Sequence, residues 1–102
     1  MLLELPMTND PAQQWVSELA GVKWLFRAQH NTRSASWTLD ILRENNEALS
    51  VGLPLVLGAD LLANHRVMDG MLFVVDYSNS GIDPSAEDWG VRCGLFWSDG
   101  NG

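Results

Sequence analysis

Residues 15–28 read Trp15-Val16-Ser17-Glu18-Leu19-Ala20-Gly21-Val22-Lys23-Trp24-Leu25-Phe26-Arg27-Ala28. Apolar side chains alternate on both sides of Ala20-Gly21, the pattern of two half-buried strands and not of a helix. Trp15, Ser17 and Leu19 form one face of the first strand, and Val22, Trp24, Phe26 and Ala28 one face of the second. A two-residue turn at Ala20-Gly21 sets Leu19 opposite Val22 and Trp15 opposite Phe26, so both apolar sets fall on one side.

The same parity argument extends outward. Trp37, Leu39 and Ile41 lie on odd positions, and so do Leu49, Val51 and Leu53. A three-residue loop, Glu44-Asn45-Asn46, therefore predicts Ile41 opposite Leu49, Leu39 opposite Val51 and Trp37 opposite Leu53, with Asn46 in the left-handed conformation that Asn tolerates. A hairpin through Gly58-Ala59-Asp60 would join Leu55 and Leu57 to Leu61 and Ala63, with Pro54 confining its strand to an edge. Met71, Phe73 and Val75 form one face of the next strand and Leu72 and Val74 the other, the pattern of a central strand covered on both sides. Val91, Cys93, Leu95 and Trp97 mark the last strand, and Ser98 to Gly102 reads as a frayed tail. Residues 8–14 fit a turn or a single helical turn. The expected fold is all-β: one domain over residues 1–102, a small antiparallel barrel or two-sheet sandwich of about seven to eight short strands.

A chain of 102 residues has room for one hydrophobic core. With 46% apolar and 19% charged residues it is too hydrophobic to be disordered. The net charge of −7 is uneven, −2 over residues 1–50 and −5 over residues 51–102. That excess argues against a binder of phosphate backbones, which needs clustered Lys and Arg. The longest apolar runs fall far short of the roughly twenty residues of a membrane helix. The N-terminus lacks a basic n-region and a small-residue cleavage site, so the chain is expected to be made and kept in a reducing cytoplasm.

Side chains suited to catalysis are sparse. Cys93, the one cysteine, alternates in phase with core positions and reads as a buried residue. His30 and His65 have no histidine at ligand spacing. Asp76 to Glu87 places Asp, Gly and Glu at positions 1, 6 and 12 of a calcium loop, but Ser78 and Ser80 replace the expected acids and Pro84 takes position 9. A solvated acidic loop is the plainer reading. No catalytic residue, metal or cofactor is predicted. Tyr77 to Trp89, about thirteen residues without strand pattern, is nevertheless the first place to seek a partner contact.

Trp15, Trp24, Trp37 and Trp97 are in phase with the core, whereas Trp89 ends the acidic loop. Leu25, Leu42, Leu72, Val74 and Phe96 fall on the opposite parity, which predicts an outer apolar patch. The candidate interface residues are therefore Leu72, Val74, Phe96, Trp89, Tyr77, Asp83 and Asp88. A second reading, a small carbohydrate-binding module, uses an exposed Trp such as Trp89 as a stacking platform.

Beyond parity, the order of short motifs is familiar: Leu3-Glu4-Leu5-Pro6, then Asn9-Asp10-Pro11-Ala12-Gln13-Gln14, Gly21 leading into Trp24 and Phe26, and Asn31-x-Arg33. Trp37-x-Leu39-Asp40-Ile41, Gly52-Leu53-Pro54-Leu55-Val56, Leu61-Leu62 and Leu72-Phe73-Val74-Val75-Asp76 follow. Over nearly its whole length the chain resembles the baseplate plug family of small tail proteins from contractile-tailed bacteriophages. The resemblance implies a non-enzymatic virion component, made in the host cytoplasm, that assembles with tube, hub and sheath-initiator proteins in several copies as a symmetric ring. The acidic charge balance and the short apolar runs predict no contact with nucleic acid or membrane.

Overall fold

In the computed structural model, which describes residues 2–58, 60–62 and 70–99, seven strands and no helix are present among the described residues. They are β1 (Leu2–Leu5), β2 (Ala12–Leu19), β3 (Val22–Asn31), β4 (Ser36–Arg43), β5 (Ala48–Pro54), β6 (Met71–Asp76) and β7 (Cys93–Ser98). Two antiparallel sheets, β1-β7-β6 and β2-β3-β4-β5, pack face to face as a sandwich. The radius of gyration is 12.8 Å.

The β2–β3 hairpin has the expected register, Leu19 opposite Val22 and Trp15 opposite Phe26. Ala20 and Gly21 both take positive φ, 54° and 77°, giving the turn whose twist matches the strands it joins. Phe26, Ala28, Leu39, Ile41, Leu72, Leu95 and Trp97 are almost wholly buried between the sheets, and Trp15 stacks on Phe26 at 5.4 Å.

The β4–β5 hairpin keeps its expected loop but not its register. Arg43 N–H donates to the Glu47 carbonyl and Asn46 has φ 69°, so Glu44-Asn45-Asn46 is the loop. Two bulges then intervene: Ile41 lies opposite Ser50 and Leu39 opposite Leu53. Each extra residue flips the alternation. Ser50 consequently points inward and is buried, while Val51, expected in the core, is exposed. Gly52, at φ 73°, carries the second bulge and donates its N–H to the Asp40 carboxylate.

Three expectations about the other sheet are corrected. First, β6 is an edge strand, and β7 is the central one. Second, Leu72 and Val74 face inward, opposite Trp97 and Leu95, leaving Met71, Phe73 and Val75 on the outer face. Both faces of β6 are apolar, so parity alone does not orient it. Third, Ser98 is not tail but the last residue of β7, paired with Leu2 and Met71.

In place of the hairpin expected around Gly58, residues 55–58 and 60–62 cross one flank of the sandwich. Leu55 N–H donates to the Trp37 carbonyl, Leu57 bridges to Val74, and Leu61 N–H donates to the Leu72 carbonyl. Asp60 accepts from the N–H groups of Leu62 and Leu72. Ala59 and Ala63 of that predicted hairpin, and His65, lie outside the described residues.

Candidate interaction surface

The acidic segment after β6 is locally ordered by a single carboxylate. Asp76 Oδ1 accepts from the Ser78 N–H and hydroxyl at 2.9 and 2.6 Å. Its Oδ2 accepts from the Ser80 N–H and hydroxyl and the Gly81 N–H, at 2.8, 2.7 and 2.9 Å. Arg92 closes the loop: one guanidinium nitrogen lies 3.2 Å from Asp76 Oδ2, the other 2.7 Å from Asp88 Oδ2, and it also reaches the Asp83 carbonyl. The residues that resembled a calcium loop thus surround a guanidinium, with N–H and O–H donors directed at the position-1 carboxylate.

These contacts set the titration of the site. The Ser78 hydroxyl bond, with those from Ser80 and Gly81, holds the Asp76 carboxyl well below the ordinary range despite its desolvation. The Arg92 bond, backed by the Ser85 N–H, holds Asp88 down at about 2. Arg92 is pushed up by the same pairing with Asp88. Burial pushes the Cys93 thiol up, the opposite of an activated nucleophile.

Tyr77 leaves this loop to lie over the outer face of the three-stranded sheet. Its hydroxyl donates to Glu4 Oε2 at 2.7 Å, and desolvation together with that bond pushes the phenol up to about 12. Gly94 makes the crossing possible, because a Cβ there would strike the Tyr77 hydroxyl and lie 2.8 Å from Glu4 Oε2. Phe96, the next outward residue on β7, meets the Tyr77 ring edge-on at 6.3 Å and stacks with Phe73 at 6.2 Å. Leu2 and Met71 flank this aromatic row and are about half exposed.

The predicted interface residues therefore separate. Phe96 and Tyr77 share the outer face of the three-stranded sheet, and Asp83 and Asp88 lie on the adjoining loop, where Asp83 accepts the Leu57 N–H. Leu72, Val74 and Trp89 are enclosed within the domain. Trp89 meets Trp37 edge-on at 6.0 Å, and Trp37 donates to the Ser85 carbonyl, so both indoles anchor the loop. Leu25 and Leu42 do point outward but form a cross-strand pair that is itself buried. Sequence parity missed Leu2, Met71 and Phe73; the signals that find them are the registers of β1 and β6 against β7.

No helix among the described residues is long and apolar enough to cross a membrane. A family model described as cyanophage baseplate Pam3 plug gp18 matches residues 2–100. The chain belongs to that family. It is accordingly a structural protein of a phage baseplate, located in the virion tail. No curated protein matches the chain.

Proposed function

We propose that this plug-family chain is a non-enzymatic building block that packs among the tube, hub and sheath-initiator proteins, in several copies arranged as a ring about the tail axis. It is made in the host cytoplasm and incorporated as the baseplate assembles. The observation that carries the reading is the match over residues 2–100 to a baseplate plug. The surface supports it: the row of Phe73, Phe96 and Tyr77, flanked by Leu2 and Met71, is the kind of apolar area that marks a protein contact. The acidic groups support a scaffold in place of chemistry, since Asp76 and Asp88 share the guanidinium of Arg92. The net charge of −7 also disfavours contact with DNA passing along the tail.

The test is mass spectrometry of virions whose genome encodes this chain, with tails separated from heads. The chain is expected in the tail fraction in constant ratio to the hub protein; its absence from tails would overturn the proposal. A carbohydrate-binding reading loses its platform, because Trp24, Trp37, Trp89 and Trp97 are buried and Trp15 is half-buried against Phe26.

A further inference from the structure

The two flanks of the sandwich are built differently. On one, β5 carries two bulges, Gly52 and Pro54, and residues 55–58 and 60–62 cover the edge of β6 through Leu57 and Leu61. These are the devices by which sheets block further strand addition. At the opposite edge of the four-stranded sheet, β2 has none of them: it pairs with β3 without a bulge over eight residues and contains no Pro, Lys or Arg.

The register fixes which groups face outward. A two-residue turn makes Leu19 and Val22 a hydrogen-bonded pair, and the His30 N–H donates to the Pro11 carbonyl, so the odd-numbered residues of β2 bond to β3. Gln14, Val16 and Glu18 therefore direct their N–H and C=O groups to the free edge. Ala12 does so too, but its N–H is taken by Asp10, which ends the open ladder. On the outer face of the sheet Glu18 lies opposite Lys23, and Gln14 opposite Arg27, whose Nε donates to Gln14 Oε1 at 3.3 Å. Between these polar pairs runs an apolar row, Val16 opposite Leu25 and Leu25 opposite Leu42. Leu25 and Leu42 are buried, whereas Val16, at the edge, is 54% exposed.

We propose that this edge pairs with itself: two copies of the free chain join their β2 strands antiparallel about a two-fold axis at Val16. In that register Val16 faces Val16, and Gln14 of each copy faces Glu18 of the other. Each pair exchanges both of its main-chain bonds, which satisfies the outward N–H and C=O groups of all three residues. The row Leu42-Leu25-Val16 meets its own image and becomes continuous through the contact. The charges are self-complementary, because Glu18 sits between Lys23 of its own copy and Gln14 of the second, beyond which stands that copy's Arg27. On the inner face Ser17 of the second copy comes opposite Trp15, whose indole N–H is buried with no acceptor among the described residues. The net charge of −7 opposes self-association at long range, where salt screens it beyond about 8–10 Å. Copies in a ring about one axis repeat head to tail, whereas this pair is isologous. It is therefore a state of the chain before assembly, and it goes beyond the baseplate reading without resting on it.

Sedimentation of the isolated full chain tests the pairing. A contact of one apolar row and a short ladder lies at the small end of interfaces, so wild type is expected to dimerise with a Kd of about 10–100 μM, and a chain that stays monomeric up to about 1 mM overturns the proposal. Val16→Lys sets two ammonium groups against each other at the two-fold while making the net charge less negative. It is expected to weaken the dimer about tenfold or more, and Val16→Ile to keep it within about threefold of wild type. A wild-type dimer that Val16→Lys leaves unchanged places the contact elsewhere and overturns the proposal. Cysteine placement reads the register without relying on Val16→Lys. The two Val16 Cα atoms would lie about 5.5 Å apart, whereas the two Glu18 positions would be offset by about 13 Å along the strand. With Cys93 buried, a short thiol cross-linker is expected to join Val16→Cys chains at least about tenfold faster than Glu18→Cys chains, and equal rates overturn the two-fold at Val16.

Discussion

Leu72→Ala and Met71→Ala form a matched pair that reads the orientation of β6. Leu72 is fully enclosed, opposite Trp97 on the central strand, whereas Met71 is 43% exposed on the outer face. Truncating Leu72 removes about three carbon groups from the core, each worth about 0.8 kcal/mol of transfer free energy. The cavity beside Trp97 and Leu95 adds a further penalty, for a total of about 3–4 kcal/mol. In a domain of this size that lowers Tm by about 12–30 °C. Met71→Ala leaves no enclosed void and is expected to cost less than about 1 kcal/mol. Urea denaturation of the isolated protein, with m held constant between variants, measures both. Equal losses, or a larger loss at Met71, would refute the inward placement of Leu72 and restore the opposite parity.

Replacing Gly94 by Ala puts a methyl group where the Tyr77 hydroxyl lies; the Tyr77–Glu4 bond is expected to break and the phenol to titrate below its present value of about 12, towards 10.0, read by ultraviolet absorbance against pH. Among the described residues Ser50 Oγ is buried with no hydrogen-bond partner, so Ser50→Ala is expected to be neutral or to stabilise by up to about 1 kcal/mol, and a clear destabilisation in denaturant would show a partner for the hydroxyl. The depressed carboxyls of Asp76 and Asp88 fix the acid response. The unfolded chain binds their protons near the ordinary value of 3.8 and the folded chain only at about 2 or below, so their stabilisation is complete above about pH 5 and is lost as pH falls from about 4 towards 2. Denaturation midpoints should be flat from pH 5 to 8, and Asp88→Asn should shallow the decline below pH 4.

The β2–β3 hairpin was legible because its two strands have one apolar face each and a turn of fixed length, which leaves a single register. The β4–β5 hairpin shows where that logic stops. Its loop follows from parity and from Asn46, but the bulges that turn Ser50 inward answer to the packing of Leu53 against the core and to Gly52 reaching Asp40, contacts between residues twelve apart in sequence. β6 defeats the same reasoning, since Leu72 and Val74 are no more apolar than Met71, Phe73 and Val75. Length of loop and acidic composition marked residues 77–89 as distinctive, yet the partner that organises them, Arg92, lies beyond that segment. Trp89 belonged to the interior because Trp37, fifty-two residues away in the chain, meets its ring.

Reconstruction of the intact tail by electron cryomicroscopy tests the central claim most directly. The account predicts that the two-sheet sandwich of β1-β7-β6 and β2-β3-β4-β5 fits density in the baseplate, with the Phe73, Phe96 and Tyr77 face against a neighbouring protein. A baseplate with no density that accepts this fold, at a resolution that separates strands, would contradict it.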